Sequence, residues 1–323
     1  MRLRSTALGL AAATATVAAA LLPRLHAMEP GAARDGAGGP PPESATLLES
    51  AAAPSRAPAA TTPLPWGAKG HTLAARVAAE GLPPALPAFF RGAADGLAYL
   101  NPEPDRWRSR TLEAMDQAWS YDHYIDLENV PPAAREAPDR FTYLRLLYEA
   151  GLEVPERDAG FLPFRIHELY QRLVTGWRLW RAAAPGERRW IELRILNDAG
   201  ILGHYVTDAS QPHHTTIHFN GWDADAANPR GFTYARDFHA RFESAFVDVH
   251  VEEADVARFA RPGVRSVAGV ARRAVWDHVR ASHAEVERLY ELEQEEGFDP
   301  FADAAPELRD FAARRLAAGA DLL

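Results

Sequence analysis

Past residue 65 the hydrophobic pattern along this chain is almost wholly helical. Apolar side chains recur three and four apart at Ile166, Leu169, Leu173, Val174, Trp177 and Trp180, which predicts one amphipathic helix. A second stripe through Phe238, Phe242, Ala245, Phe246 and Val249 predicts another. The stretches 266–293 and 304–323 keep the same period with many charges on the opposite face. Segments bearing proline and glycine at 101–104, 130–138, 152–163 and 220–231 read as loops. No run of alternating residues argues for strands, so the expectation is an all-α, compact multi-helix bundle.

The first 65 residues have a different pattern. Arg2 and Arg4 precede the apolar run LGLAAATATVAAALL, which is short for a membrane span, and Leu25-His26-Ala27 offers a cleavage end. Residues 1–27 are therefore expected to be a signal peptide, with an uncleaved anchor as the competing reading. Secretion or a periplasmic location follows as the expectation. Residues 28–65 are Ala, Gly, Pro and Ser with few large apolar groups, and read as a disordered linker or pro-segment. The composition breaks at Trp66, so 66–323 is expected to be the folded domain, long enough for one core.

Composition narrows the chemistry. The 323 residues include no cysteine, which excludes disulfides and thiolate metal ligation. Any metal must be held by nitrogen and oxygen. A formal net charge of -9 argues against a chain-wide grip on nucleic acid. It leaves room for an enzyme in which cations supply a local positive field.

Such a cluster is visible in GHYVTDASQPHH. His204 and Asp208 are four apart, on one helix face, and His214 follows the Gln211-Pro212 corner, where a helix cannot continue. His239 and Glu243 repeat the four-residue spacing in FHARFES. Imidazole and carboxylate at that spacing on neighbouring helices is how a bundle builds a metal site. His71 in WGAKGH, Asp105 in NPEPDRWR and His123 in YDHYIDLE are further candidates, each weak alone. His213 reads as lying behind the ligands or exposed, His218 as a group that lines the cleft, and His250 as exposed or behind the ligands. His278 and His283 read as surface groups and His167 as a boundary histidine. Asn197, Tyr99, Trp107, Phe219 and Trp222 are candidates to reach or wall the cleft, and Gly203 fits close helix packing. No Ser/His/Asp nucleophile set has a recognisable context.

The run HYVTDASQPHH, together with Trp66 and His71 in WGAKGH, resembles the zinc-dependent phospholipase C group and its relatives, the single-strand-specific zinc nucleases. The resemblance extends from Trp66 to about Val249. It implies an all-helical secreted enzyme, expected to be a monomer, with three zinc ions in a cleft. By the same resemblance Asp105, His123 and His204 hold the first ion, and His214, His239 and Glu243 the second. His71 and the free amine and carbonyl of Trp66 hold the third, and Asp208 bridges first and third. Asp105 and Asp208 are then the catalytic carboxylates, with Asp95 an alternative to Asp105. A free amine at Trp66 implies a maturation protease.

The implied reaction is phosphodiester hydrolysis, because close metal ions acidify water beside phosphorus. Glu243 resembles the phospholipase C branch, whereas the nuclease branch usually has Asp there. HFNGWDAD departs from the glycine-rich loop of the nucleases. A phospholipid head group, met by transient contact with a membrane surface, is therefore the expected substrate. Single-stranded nucleic acid is the alternative, and a non-enzymatic zinc-binding helical protein the reading outside catalysis.

Overall fold

The computed structural model describes residues 67–109, 111–261, 267 and 269–323. The expected signal peptide, linker and Trp66 ligand lie outside these residues. Among the described residues every regular element is helical, and no strand is present. Among these residues no helix is long and apolar enough to cross a membrane.

The Arg188–Asp208 helix organises the fold. It packs against the Leu162–Ala182, Ala94–Leu100, Pro306–Leu322 and Ala68–Glu80 helices. Every residue from Asp198 to Asp208 is buried, as expected of a helix enclosed on all sides rather than amphipathic. Small residues permit this closeness. A Cβ on Gly200 would lie 2.4 Å from the Leu100 Cβ, and one on Gly176 would lie 2.9 Å from Ile195 Cγ1.

One apolar cluster, containing Tyr143, Leu162, Leu169, Leu202, Tyr205 and Trp276, lies beside the 188–208 helix. Another joins Phe90, Leu97, Ile195 and Ala199 to Trp177 and Trp180. The third joins Phe238, Phe242 and Phe246 to Tyr290, Phe298 and the 306–322 helix. Each fully buried phenylalanine there contributes roughly 1.5–3 kcal/mol of transfer free energy.

Several expected elements differ in detail. The 266–293 stretch is two helices, Ala271–His283 and Val286–Glu295, and the expected loops at 130–138 and 152–163 contain the short helices Pro132–Arg135 and Pro155–Ala159. The second stripe also slips. Phe238–Ala240 leads into a π-helical segment, Arg241–Phe246, and then Val247–His250. The wider turn adds a residue to the repeat, so Val247 and Val251 are buried while Val249 faces outward.

Candidate metal centre

The last turn of the 188–208 helix presents His204 and Asp208 on one side, fully buried. The chain leaves that helix through Ala209-Ser210-Gln211, and Pro212 opens a 3-10 turn, Pro212–Thr215, that carries His214. The Gln211 side chain holds this corner, accepting from His213 N at 2.6 Å and donating to Glu243 Oε2 at 2.9 Å. Glu243 lies in the π segment, which swings it beside His239 and His214. A wide turn that re-aims one side chain is a recurrent feature of functional helices.

Three groups of ligand-type side chains that could hold a metal ion result. Asp105, His123 and His204 form one, His71, His204 and Asp208 another, and His214, His239 and Glu243 the third; within each, one ligand atom per residue lies within 4.8 Å of the others. His204 belongs to two of them, and Asp208 touches four imidazoles. Its oxygens are 3.5 Å from His71 Nε2, 3.0 Å from His123 Nδ1, 3.1 Å from His204 Nε2 and 3.5 Å from His214 Nδ1. His214 Nε2 is 3.1 Å from His239 Nε2 and 3.3 Å from Glu243 Oε2, and the His239–Glu243 contact is 2.8 Å.

Hydrogen bonds at the far side of two rings set which nitrogen faces inward. His71 Nδ1–H donates to Asn101 Oδ1 at 3.0 Å, leaving Nε2 toward Asp208 and Asp105. His214 Nδ1–H donates to the His123 carbonyl at 2.7 Å, leaving Nε2 toward His239 and Glu243. This arrangement of an outer partner fixing the tautomer is what metal-binding histidines require.

The charges are otherwise costly. Burial raises the Asp105 pKa to about 7, against the pull of His71. Burial would also raise Asp208, but His204 and His214 hold it well below the usual carboxylate range. Burial likewise opposes ionisation of Glu243, and His239 and His214 outweigh it. Burial drives His204 down and His123 to about 4, whereas Asp208 and Glu243 overcome burial at His214 and lift it to about 9. Asp208 also ends its helix, where the macrodipole disfavours an anion.

Both Asp105 oxygens, Asp208 Oδ1, His71 Nε2, His123 Nε2 and His204 Nδ1 are buried without a hydrogen-bond partner among the described residues. Buried polar atoms left this way cost about 1–3 kcal/mol each. Of these, His71 Nε2 faces Asp105 Oδ2 at 3.8 Å and Asp208 Oδ1 at 3.5 Å. Cation coordination satisfies that donor set, which consists of the nitrogen and oxygen atoms that divalent transition metals take. The residues therefore fit a metal centre.

The His214, His239 and Glu243 group, with His123, lines a cavity of about 810 Å³. Arg108, whose Nη1 is 3.8 Å from Asp105 Oδ1, lines it as well, as do Arg157 and Arg236. Asp126 is on the same wall. Burial, then the nearby Glu128 and Asp158 carboxylates, push it up to about 8, and its Oδ1 is unpartnered.

Other expected residues fall differently. Asp95 is exposed and paired with Arg76 at 2.9 Å, far from serving as a substitute for buried Asp105. Asn197 and Tyr99 face solvent, Trp107 packs beside the core, and Trp222 stacks on His218 at 3.7 Å; of the aromatic candidates Phe219 lines the cavity. His218 is buried under that stack instead of lining the cleft. His213 is not exposed but packed among Phe238, Phe242 and Tyr290. His278 and His283 are both partly buried, the second with 34% of its side chain exposed. Burial lowers the first to about 4, and the second donates to the Thr215 carbonyl at 2.9 Å, bracing the turn that carries His214. The sequence reading missed Asn101, Gln211 and Arg108. Only Gln211, in the Gln-Pro corner, had a signal.

Comparison of the chain with protein-family models, with curated proteins and with solved structures finds no match.

Proposed function

We propose that this protein is a zinc-dependent phosphodiester hydrolase resembling the phospholipases C, exported and active as a monomer. Asp105, His123 and His204 would hold one zinc ion and His214, His239 and Glu243 a second. His71 and Trp66 would hold a third, with Asp208 shared between the first and third. Bound there, the ions supply Lewis acidity toward a phosphoryl group and toward water. The observation that carries this reading is the convergence of ligand-type groups with orphaned buried atoms beside an 810 Å³ cavity.

The chain's own residues supply the rest. Arg108 offers a guanidinium fork beside Asp105, suited to two oxygens of one phosphate. Asp126, neutral until about pH 8, presents an O–H donor to the bound molecule. Asp158, Asp223 and Asp237 offset Arg108, Arg157 and Arg236 in the lining, so the wall carries no excess of positive charge. A wall without a positive excess suits a zwitterionic head group and lacks the basic stripe that grips a polyanionic backbone. That balance favours a phospholipid head group, cleaved to diacylglycerol and the phosphorylated head group.

A single-strand nuclease is the second reading, and Phe219 is what favours it. Its ring is 43% exposed on the cavity wall and offers a face on which a base can stack. Assay of the zinc-loaded chain beginning at Trp66 against phosphatidylcholine and against single-stranded DNA and RNA decides between them, with chelated protein as control. Head-group release is expected. Chelator-sensitive nucleic-acid cleavage without it transfers the function to the nuclease class, and no zinc-dependent hydrolysis of either leaves a binding protein.

A further inference from the structure

A second cavity, of about 620 Å³, lies between the 162–182 and 271–283 helices and shares no lining residue with the one at the metal centre. Four guanidiniums line it, from Arg135, Arg272, Arg273 and Arg280, against one carboxylate, Glu136. In a chain of net charge -9 this is a local reversal of sign. Arg280 is paired with Asp277, and Arg135 gives Nε and one terminal nitrogen to the Val130 and Leu127 carbonyls. Arg272 gives one nitrogen to the Arg135 carbonyl. Among the described residues Arg135, Arg272 and Arg273 have no carboxylate within ion-pair distance, so three positive charges share one concavity without a counter-ion.

Crowded like charges repel, and an anion placed among them is correspondingly favoured. Guanidinium is the side chain best matched to phosphate, through paired N–H donors. The 271–283 helix begins at this wall with no acidic residue in its first turn and no side-chain cap, which adds the positive end of its dipole. Tyr170 and Trp276 complete the lining with apolar surface. The volume is within the range that accommodates a small organic molecule and far exceeds what a bare ion needs. Burial and the Arg272 charge keep His167, on the same wall, below its ordinary pKa.

We propose that this cavity is a second ligand site, for the dianion of a phosphate monoester carrying a small organic group, separate from the metal centre. Calorimetric titration of the full chain with phosphocholine and with inorganic phosphate tests it. In the unmodified chain phosphocholine is expected to bind more tightly than phosphate. R272Q/R273Q is expected to weaken that binding by about tenfold or more, a loss of about 1.4 kcal/mol. R272K/R273K keeps the charge without the fork and is expected to fall between, and Arg145→Gln, exposed and in the lining of neither cavity, to leave the affinity unchanged. Unaltered binding in R272Q/R273Q, with circular dichroism showing the fold intact, overturns the proposal. Equal affinity for phosphate and phosphocholine reduces the site to an adventitious ion only.

Discussion

His71 Nδ1–H donates to Asn101 Oδ1 at 3.0 Å, and both side chains are wholly shielded from solvent. The bond commits the imidazole to the tautomer whose Nε2 is free for a metal. On the function proposed above, Asn101→Leu is expected to lower bound zinc by one ion per chain, and Asn101→Asp, which still accepts, to retain it. Elemental analysis reads the stoichiometry, and nitrogen NMR of His71 in the metal-free chain reads the tautomer. Full zinc content with an unshifted tautomer in Asn101→Leu would remove Asn101 from any positioning role.

The space Asn101 occupies is provided by Gly203. A Cβ there would lie 2.5 Å from Asn101 Nδ2 and 2.9 Å from Leu323 Cδ2. Gly203→Ala is therefore expected to destabilise by about 1–3 kcal/mol through overpacking. Gly96 is also helical but has nothing within 4 Å of the added atom, and Gly96→Ala is expected to stabilise by about 0.5–1 kcal/mol. Urea midpoints of the two variants compare them directly. Equal shifts would mean that packing at Gly203 is looser than the contacts imply.

The helical class and the pairs His204/Asp208 and His239/Glu243 were legible in the sequence because period and spacing are local properties. What was not legible depends on tertiary placement. The stripe through Phe238 and Phe242 could not reveal that its next turn is π-helical, which exposes Val249 and buries Val247. Asn101 sits in a segment that reads as a loop, and its partner is thirty residues away. Asp105 has no local pattern either; its proximity to His123 and His204 comes from packing of the Glu103–Trp107 helix on the 188–208 helix.

Asp208 has four imidazole nitrogens within 3.5 Å, so its removal affects more than one group of ligands. Asp208→Ala is expected to bind fewer ions than any single histidine variant at the centre, since it bridges two of them in the function proposed above. His278→Ala should keep every ion yet lose roughly 1–2 kcal/mol, because its ring is largely enclosed and hydrogen-bonded to the Val206 backbone. Metal analysis alongside thermal unfolding separates the two effects. Retention of all ions by Asp208→Ala would refute the bridge.

Asp126 gives the protein a pH dependence of definite sign. Its folded-state pKa, raised chiefly by burial to about 8, exceeds the unfolded value near 3.8. Below the ordinary carboxylate range both states hold the proton and no penalty arises. Between about 4 and 8 only the unfolded chain releases it, so stability falls as pH rises, by at most about 1.4 kcal/mol per unit, and levels above that window. Asp126→Asn should remove this slope. Urea denaturation of both chains in chelator from pH 5 to 8 measures it, and parallel curves would show that Asp126 ionises in the fold as freely as in water.

Gly67, the first of the described residues, is buried, and its N–H donates to Ser244 Oγ at 3.3 Å. Ser244 follows Glu243, so the chain just after Trp66 is tied to the helical segment that supplies two of the ligand-type side chains. An added Cβ at Gly67 would come within 3.3 Å of Asp248 Oδ1, which favours glycine at this approach. If the Trp66 amine completes the group around His71, cleavage after Pro65 is a step in activation, because an amide nitrogen has no basic lone pair to give. A signal enzyme cutting near Ala27 would leave 28–65 attached, so a second protease would be needed. A chain beginning at Trp66 is expected to bind one more zinc ion than one retaining Pro65, and to be the active form of the two. Elemental analysis of both, with the hydrolysis assay run in parallel, decides the matter. Equal zinc and equal activity would exclude the terminal amine from the centre while leaving the other two groups of ligands untouched.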